Sequence, residues 1–168
     1  STYGHISNWD VSQVTDFSKL FFQAYSFNEN ISNWDVSSGN DFHHMFGFAS
    51  LFNQDLSNWD VSNGNDFSYM FFGTDSFNQE LGEWEVSSGS DFKHMFEENE
   101  VFTSDLSNWD MSSATDLNGM FESARAFNSD ISRWDVSSVW DFEKLFSDAD
   151  SFYSDLEYWN VSSATSAG

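Results

Sequence analysis

The chain is built on near-copies of one segment, which in its clearest form reads Asn53-Gln54-Asp55-Leu56-Ser57-Asn58-Trp59-Asp60-Val61-Ser62. The copies recur at one constant interval, without insertion or deletion, and place a tryptophan at Trp9, Trp34, Trp59, Trp84, Trp109, Trp134 and Trp159. A unit this short cannot bury its own apolar face, so such units stack and share one continuous core. The repeat therefore predicts a single array over residues 1–168, which we expect to be a fragment of a longer array or to be capped by partners.

Composition restricts the function classes. The chain has 28 acidic and five Lys or Arg residues, a formal charge of −23, which argues against a nucleic-acid partner and favours cations and basic partners. A solvated, solubilising surface explains the same excess. There is no cysteine for a disulfide or a thiolate metal site, and no apolar run approaches the ~20 residues of a membrane span.

Apolar residues around each tryptophan predict a strand. An aliphatic residue stands three positions before it, as Leu56 before Trp59, and Val or Met two positions after it, as Val61. From the tryptophan to the Val or Met, apolar, polar and apolar residues alternate. Such an alternation of inward and outward side chains is typical of a strand with one buried face. We expect strands at 57–61 and its equivalents, stacked ~4.8 Å apart in a parallel sheet.

A second pattern predicts a helix in each unit. An Asp recurs five positions after the strand, at Asp16, Asp41, Asp66, Asp91, Asp116 and Asp141. Apolar residues follow it at i, i+3, i+4 and i+7, as Phe17, Leu20, Phe21 and Ala24, which predicts a helix of about nine residues. We interpret the Asp as a helix cap rather than a ligand. The predicted fold is an α/β leucine-rich-repeat-like solenoid of seven units, with parallel strands on one face and short helices on the other.

The unit Phe-Asn-x-Asp-Leu-Ser-Asn-Trp-Asp-Val-Ser, followed by Asp-Phe-x-x-Met-Phe, resembles the repeats of the BspA-like leucine-rich-repeat surface proteins, also called the surface protein 26-residue repeat. Residues 53–62 and 66–71 show the resemblance most clearly. It implies a secreted or cell-surface protein, a role in adhesion and no enzymatic activity. Gly39, Gly64 and Gly89 depart from the family, which usually has a small aliphatic residue there.

Stacking turns the position after each tryptophan into a row of candidate binding residues, Asp10, Asp35, Asp60, Glu85, Asp110 and Asp135, called here the acidic row. At ~5 Å, neighbouring charges repel by about 0.8 kcal/mol in water and roughly 3 kcal/mol at an effective dielectric of 20. Three interpretations stay open: bracing by the serine that follows two positions later, binding of Ca²⁺ or another hard cation, and contact with a protein or glycan ligand. A second row, which includes Asp55 and Asp105, predicts Asx turns.

Catalysis has little support. The chain has no Cys nucleophile and no Gly-x-Ser-x-Gly motif. His44 and His94 share one repeat position with Lys19, Tyr69, Gly119 and Lys144, and we interpret this variable position as a solvated helix face. Trp140 stands outside the repeat pattern, where an exposed indole would mark a partner contact and an indole folded onto the core would not.

These observations favour a non-catalytic, surface-exposed or secreted binding or adhesion module, located outside the cell or on its surface. Its ligand contacts would lie on the acidic row and at Trp140, with no cofactor other than a candidate Ca²⁺ and no specified metal site. The alternative is a structural subunit whose ends stack on neighbouring subunits in a larger assembly, with or without a cation.

Overall fold

The computed structural model of the protein describes residues 4–166 as a stack of coils, one for each sequence repeat. Equivalent residues of successive coils lie beside one another. Isolated parallel bridges pair Asp16 with Asp41, and then in turn Asp41 with Asp66, Asp66 with Asp91, Asp91 with Asp116, Asp116 with Asp141 and Asp141 with Ser166. The sequence repeat is thus also the repeat of the structure.

The predicted α/β leucine-rich-repeat fold is wrong. Within residues 4–166 the only helix is the short 3-10 helix Ile6–Asn8, and β-pairing is confined to the isolated bridges, so extended strands and α-helices are both missing. Since no α-helix forms there, no helix of these residues could cross a bilayer. Each segment predicted as a strand contains a single turn, and each segment predicted as a helix contains two consecutive turns.

The predicted helix is replaced by consecutive four-residue turns, which we call the turn ribbon (residues 16–24 and their equivalents). The N–H of Leu20 donates to the carbonyl of Phe17, and the N–H of Ala24 to that of Phe21. The third residue of each turn, Lys19 or Gln23, has a φ of 58°, as type II turns require. An α-helix cannot contain these left-handed residues or this spacing of bonds.

Alternate amides of the turn ribbon join one coil to the next. The N–H groups of Phe17, Lys19, Phe21 and Gln23 each donate to a carbonyl of the following coil, all at 2.8 Å. Later coils repeat these bonds, as from Phe67 to Asp91 at 2.9 Å. Because these amides are used between coils, they cannot form the i→i−4 bonds of a helix.

The turn ribbon nevertheless buries the residues that the helix pattern selected. In the third coil Phe67, Met70, Phe71 and Thr74 are all inaccessible to solvent. They are the first and last residues of two consecutive turns. Of the central residues, Tyr69 and Phe72 are half-buried, whereas Ser68 and Gly73 are buried. Two four-residue turns thus have the same i, i+3, i+4, i+7 pattern as an amphipathic helix.

The predicted strand is also a turn, which we call the tryptophan segment (residues 56–62 and their equivalents). The N–H of Trp59 donates to the carbonyl of Leu56 at 3.0 Å, within the same coil. Within residues 4–166 no backbone–backbone bond joins neighbouring tryptophan segments. The indole Nε1 of Trp59 donates instead to the carbonyl of Ile31 in the preceding coil at 3.2 Å, and the later tryptophans repeat this bond.

Stacked aromatic rings fill the space between the two segments. The rings of Phe42 and Phe67 are 5.5 Å apart and almost parallel, whereas those of Trp84 and Trp109 are 6.5 Å apart. The wider spacing occurs where no backbone bonds of the described chain hold the coils at the ~4.8 Å of a sheet. The core therefore depends on backbone pairing on one side and on indole hydrogen bonds on the other.

The glycines that depart from the surface-protein repeat make room for these rings. A Cβ on Gly89 would lie 2.8 Å from Cε2 of Phe92, which is too close for the two residues to coexist unchanged. In the fifth coil the equivalent pair is Ala114 and Leu117, both buried. The first and sixth coils have valine before Phe, as Val14 with Phe17 and Val139 with Phe142, and in the sixth coil the Phe is only half-buried. Glycine before a Phe is therefore one of several ways to fill this space.

We predict that Gly89→Ala destabilises the protein by about 1–3 kcal/mol through overpacking against Phe92. Adding Phe92→Leu should recover part of this loss, because the double variant reproduces the pair of the fifth coil. Chemical denaturation of the single and double variants measures the coupling. Strictly additive effects would contradict this account of the glycine.

Candidate functional site

The acidic row lies on the outward side of the tryptophan segments. All of its side chains, Asp10, Asp35, Asp60, Glu85, Asp110 and Asp135, are exposed to solvent. The tryptophan rings beside the row repeat at 6.4 Å or 6.5 Å from one coil to the next, so the row follows the register of the stacked coils.

Most carboxylates of the row close an Asx turn with the serine that follows two positions later. Asp35 Oδ1 accepts the N–H of Ser37 at 3.1 Å and its hydroxyl at 2.6 Å. Equivalent serine N–H groups donate at 3.0 Å or 3.1 Å to Asp10, Asp60, Asp110 and Asp135. No such bond joins Glu85 to Ser87 within the described chain, where the longer side chain replaces Asp. The serine brace considered from the sequence is therefore present.

These bonds dominate the electrostatics of the row. The Ser37 hydroxyl, followed by the Ser37 N–H, lowers the pKa of Asp35, while the charge of Asp10 raises it by a smaller amount. The Ser12 hydroxyl and N–H lower the pKa of Asp10 in the same way. Hydrogen bonding to the ionised form thus outweighs the repulsion between neighbours at Asp10 and Asp35, and these two carboxylates stay charged at neutral pH.

Two further Asx turns recur in the coil. Asp55 Oδ1 accepts the N–H of Ser57 at 2.9 Å, which is the turn predicted for the second row. Asp66, predicted to cap a helix, accepts the N–H of Ser68 at 2.9 Å as part of the turn ribbon. More than half of the 28 acidic residues stand at these three repeat positions. Much of the negative charge therefore comes from residues that build turns.

Trp140 lies at the start of the turn ribbon of the sixth coil, away from the tryptophan segment. Its N–H donates to the carbonyl of Thr115 at 2.9 Å, and its carbonyl accepts the N–H of Thr165 at 2.8 Å. The backbone is thus paired on both sides, while the residue is 45% exposed. The structure does not bring Trp140 into the acidic row.

The repeat position of His44 and His94, which the sequence suggested to be a solvated helix face, is half-buried in an aromatic stack. The Tyr69 ring lies between the two imidazoles, 4.4 Å from His44 and 4.7 Å from His94. Burial, reinforced by the charges of His43 and Lys19, lowers the pKa of His44 to about 4. The acidic row was predicted by assuming that equivalent residues of adjacent repeats lie next to one another. The same assumption applied to His44, Tyr69 and His94 would have predicted their contact from the sequence.

His94 also faces two carboxylates, and we call His94, Glu97 and Glu122 the His94 cluster. One ligand atom from each residue lies within 4.8 Å of the others. His94 Nδ1 is 2.6 Å from Glu97 Oε2, and Glu122 Oε1 accepts a hydrogen bond from Lys144 Nζ at 3.1 Å. Among residues 4–166 this is the one group of three acidic or histidine side chains close enough to share a metal ion, and the acidic row contributes no such group.

We predict that acid destabilises the protein through the acidic row. The carboxylates of Asp35, Asp110 and Asp135 have lowered pKa values because of their serine bonds, so their stabilisation is complete above the ordinary Asp pKa of about 3.9. That stabilisation is lost as the pH falls through the lower, folded-state values. Replacing all three by Asn should flatten the fall in unfolding midpoint below about pH 4, and an unchanged acid profile would contradict this assignment.

Comparison with known proteins identifies a family but no characterised relative. A search of curated proteins returns no match, and a search of solved structures returns none either. A family model described as "Mycoplasma protein of unknown function, DUF285" matches residues 1–105 and again residues 90–168. The two matches together span the chain, which belongs to the DUF285 family.

Proposed function

We propose that this chain is a non-catalytic binding module, exposed at the cell surface or secreted, and that it contacts basic segments of a protein ligand through the acidic row. The observation that supports this proposal most directly is the fixed orientation of the row. The serine donors reach Oδ1 of Asp10, Asp35 and Asp60. Within residues 4–166 the hydrogen bonds of these three carboxylates use Oδ1, which leaves Oδ2 available to a ligand.

A braced row is suited to binding an extended cationic partner. Side chains that are already held in place lose little conformational freedom when they bind, so less of the interaction energy is spent on ordering them. The net charge of −23 attracts basic partners over long distances and accelerates their association. A glycan ligand is the competing outcome, and it would bind with little dependence on salt if it is uncharged.

The extracellular location rests on the resemblance of the repeat to the BspA-like surface proteins. Residues 53–62 and 66–71 show that resemblance, although the leucine-rich-repeat fold does not apply here. We expect antibodies against the chain to label intact cells of its source as strongly as permeabilised cells. Labelling that requires permeabilisation would contradict the location without affecting the binding proposal.

The acidic row can be neutralised without breaking its turns. Asn30 and Asn160 already stand at Asx-turn positions, and their Oδ1 atoms accept the N–H groups of Ser32 at 2.9 Å and Ser162 at 3.2 Å. Asn is therefore a conservative replacement for Asp at these sites. The row variant is Asp35→Asn, Asp110→Asn and Asp135→Asn together. A matched control removes three exposed carboxylates elsewhere, through Asp75→Asn, Glu143→Gln and Asp148→Asn.

We predict that the row variant binds a fluorescent oligolysine peptide about tenfold more weakly than the native chain, because three exposed ion-pair contacts are lost. The control variant has the same net charge and should lose much less affinity. Fluorescence anisotropy at several salt concentrations measures both. Equal losses in the two variants would show that binding follows total charge, and the acidic row would no longer be the contact surface.

A further inference from the structure

We propose that the His94 cluster binds one divalent transition-metal ion, for which Zn²⁺ is the natural probe. The site lies in the turn ribbon and uses none of the residues of the acidic row, so it goes beyond the binding function proposed above. Glu97 and Glu122 are equivalent residues of adjacent coils. A metal held by both would therefore link the fourth coil to the fifth.

The donor set suits a borderline metal. One imidazole nitrogen and two carboxylate oxygens lie within 4.8 Å of one another, at half-buried side chains. Zinc binds His nitrogen at about 2.0–2.1 Å and carboxylate oxygen at about 2.0–2.2 Å, which separates neighbouring ligand atoms by roughly 3.4 Å in a tetrahedral site. The separations found here, from 2.6 Å between His94 Nδ1 and Glu97 Oε2 up to 4.8 Å, bracket this value. An imidazole ligand favours zinc, nickel or copper over calcium and magnesium, which prefer oxygen.

A second observation is independent of the number of acidic groups. His94 Nδ1 is buried and has no hydrogen-bond partner among the described residues, although Glu97 Oε2 lies only 2.6 Å away. The contact is therefore close but lacks the geometry of a hydrogen bond. Buried polar atoms are rarely left unsatisfied in folded proteins. A metal ion between the nitrogen and the carboxylates would satisfy His94 Nδ1 and remove the close contact.

Gly119 allows His94 and Glu122 to lie close together. It occupies the repeat position of His94 in the next coil, where a Cβ would overlap Nδ1 of His94 and lie 3.3 Å from Oε2 of Glu122. Any larger residue at this position would therefore displace the imidazole of His94 or the carboxylate of Glu122. Lys144 binds the other oxygen of Glu122, Oε1, at 3.1 Å, so Oε2 is the oxygen left for a metal. The first, second, third and sixth coils have Lys19, His44, Tyr69 and Lys144 at this position.

The surroundings favour a cation. The Tyr69 ring stacks on His94 at 4.7 Å and restricts the orientation of the imidazole. Glu97 and Glu98 are neighbours in the chain, and Glu122 stands at the position of Glu97 in the next coil, so these carboxylates repel one another. A divalent ion would relieve that repulsion.

His44 is a matched control within the same chain. It occupies the equivalent position and stacks on the opposite side of Tyr69. The residues equivalent to Glu97 and Glu122 are here Gly47 and Phe72, which offer no side-chain ligand. His44 Nδ1 is instead 2.9 Å from His43 Nε2. A histidine in the same aromatic setting thus lacks the carboxylates that the proposal requires.

The test is a calorimetric titration of residues 1–168 with Zn²⁺ after treatment with a chelator, in excess Ca²⁺ and Mg²⁺ to occupy nonspecific carboxylates. We expect one equivalent of Zn²⁺ to bind and the thermal midpoint to rise. His94→Gln and Glu122→Gln should each weaken binding by at least about tenfold, as the loss of one of three ligands requires. His44→Gln should leave the affinity unchanged.

Several results would overturn the proposal. These are no binding above that of the Ca²⁺-saturated background, a stoichiometry spread over many weak sites, or equal affinity in native protein and the His94→Gln variant. Circular dichroism without metal checks that each variant folds. If His94→Gln disturbs the aromatic stack, Glu122→Gln decides the question, because it keeps both the Tyr69–His94 contact and an acceptor for Lys144. Unchanged zinc affinity in a folded Glu122→Gln variant would then exclude the site.

Discussion

The hydrogen bonds from alternate amides of each turn ribbon to the next coil are the interaction on which the rest of the structure depends. They run from residues such as Phe17 and Phe21 to carbonyls of the following coil, and they hold successive coils in one register. Stacking of Phe42 on Phe67, or of Trp84 on Trp109, needs that register, because rings of equivalent residues must meet face to face. One inserted residue in a coil would displace every ring that follows it.

The same register has different consequences on the two sides of the coil. On the turn ribbon, direct backbone pairing brings side chains of adjacent coils close enough for Tyr69 to stack on His94. On the tryptophan segment the indole bonds, such as Trp59 to Ile31, connect the coils in place of backbone pairing. The acidic row lies on this side of the coil, where the serine hydrogen bonds of Asp35 outweigh the charge of the neighbouring Asp10.

Positions that repeat along the array and positions that differ between coils provide two kinds of proposed binding site. The acidic row repeats one braced carboxylate along the array, so it offers an extended surface with many equivalent contacts. The His94 cluster occurs once in the described chain, because it needs His94, two carboxylates at equivalent positions and a glycine at position 119 that lets His94 and Glu122 lie close together. The proposed protein contact follows from the repetition, whereas the proposed metal site follows from a departure from it. The two sites can therefore be tested by separate variants.

The constant repeat interval, the inward positions of Trp59 and Phe67, and the Asx turn at Asp55 follow from the sequence alone, because residue type and spacing determine which side chains are buried and which turns are favoured. The choice between a helix and a chain of turns belongs to the tertiary structure. Both bury i, i+3, i+4 and i+7. The left-handed positions mostly hold residues such as Lys19 and Gln23, and glycine stands there only at Gly73 and Gly119, too rarely to reveal the turns. Only pairing with the next coil makes the turns favourable, since it satisfies the amides that a helix would otherwise use. The same pairing brings Glu97 and Glu122, which belong to different repeats of the sequence, to one imidazole.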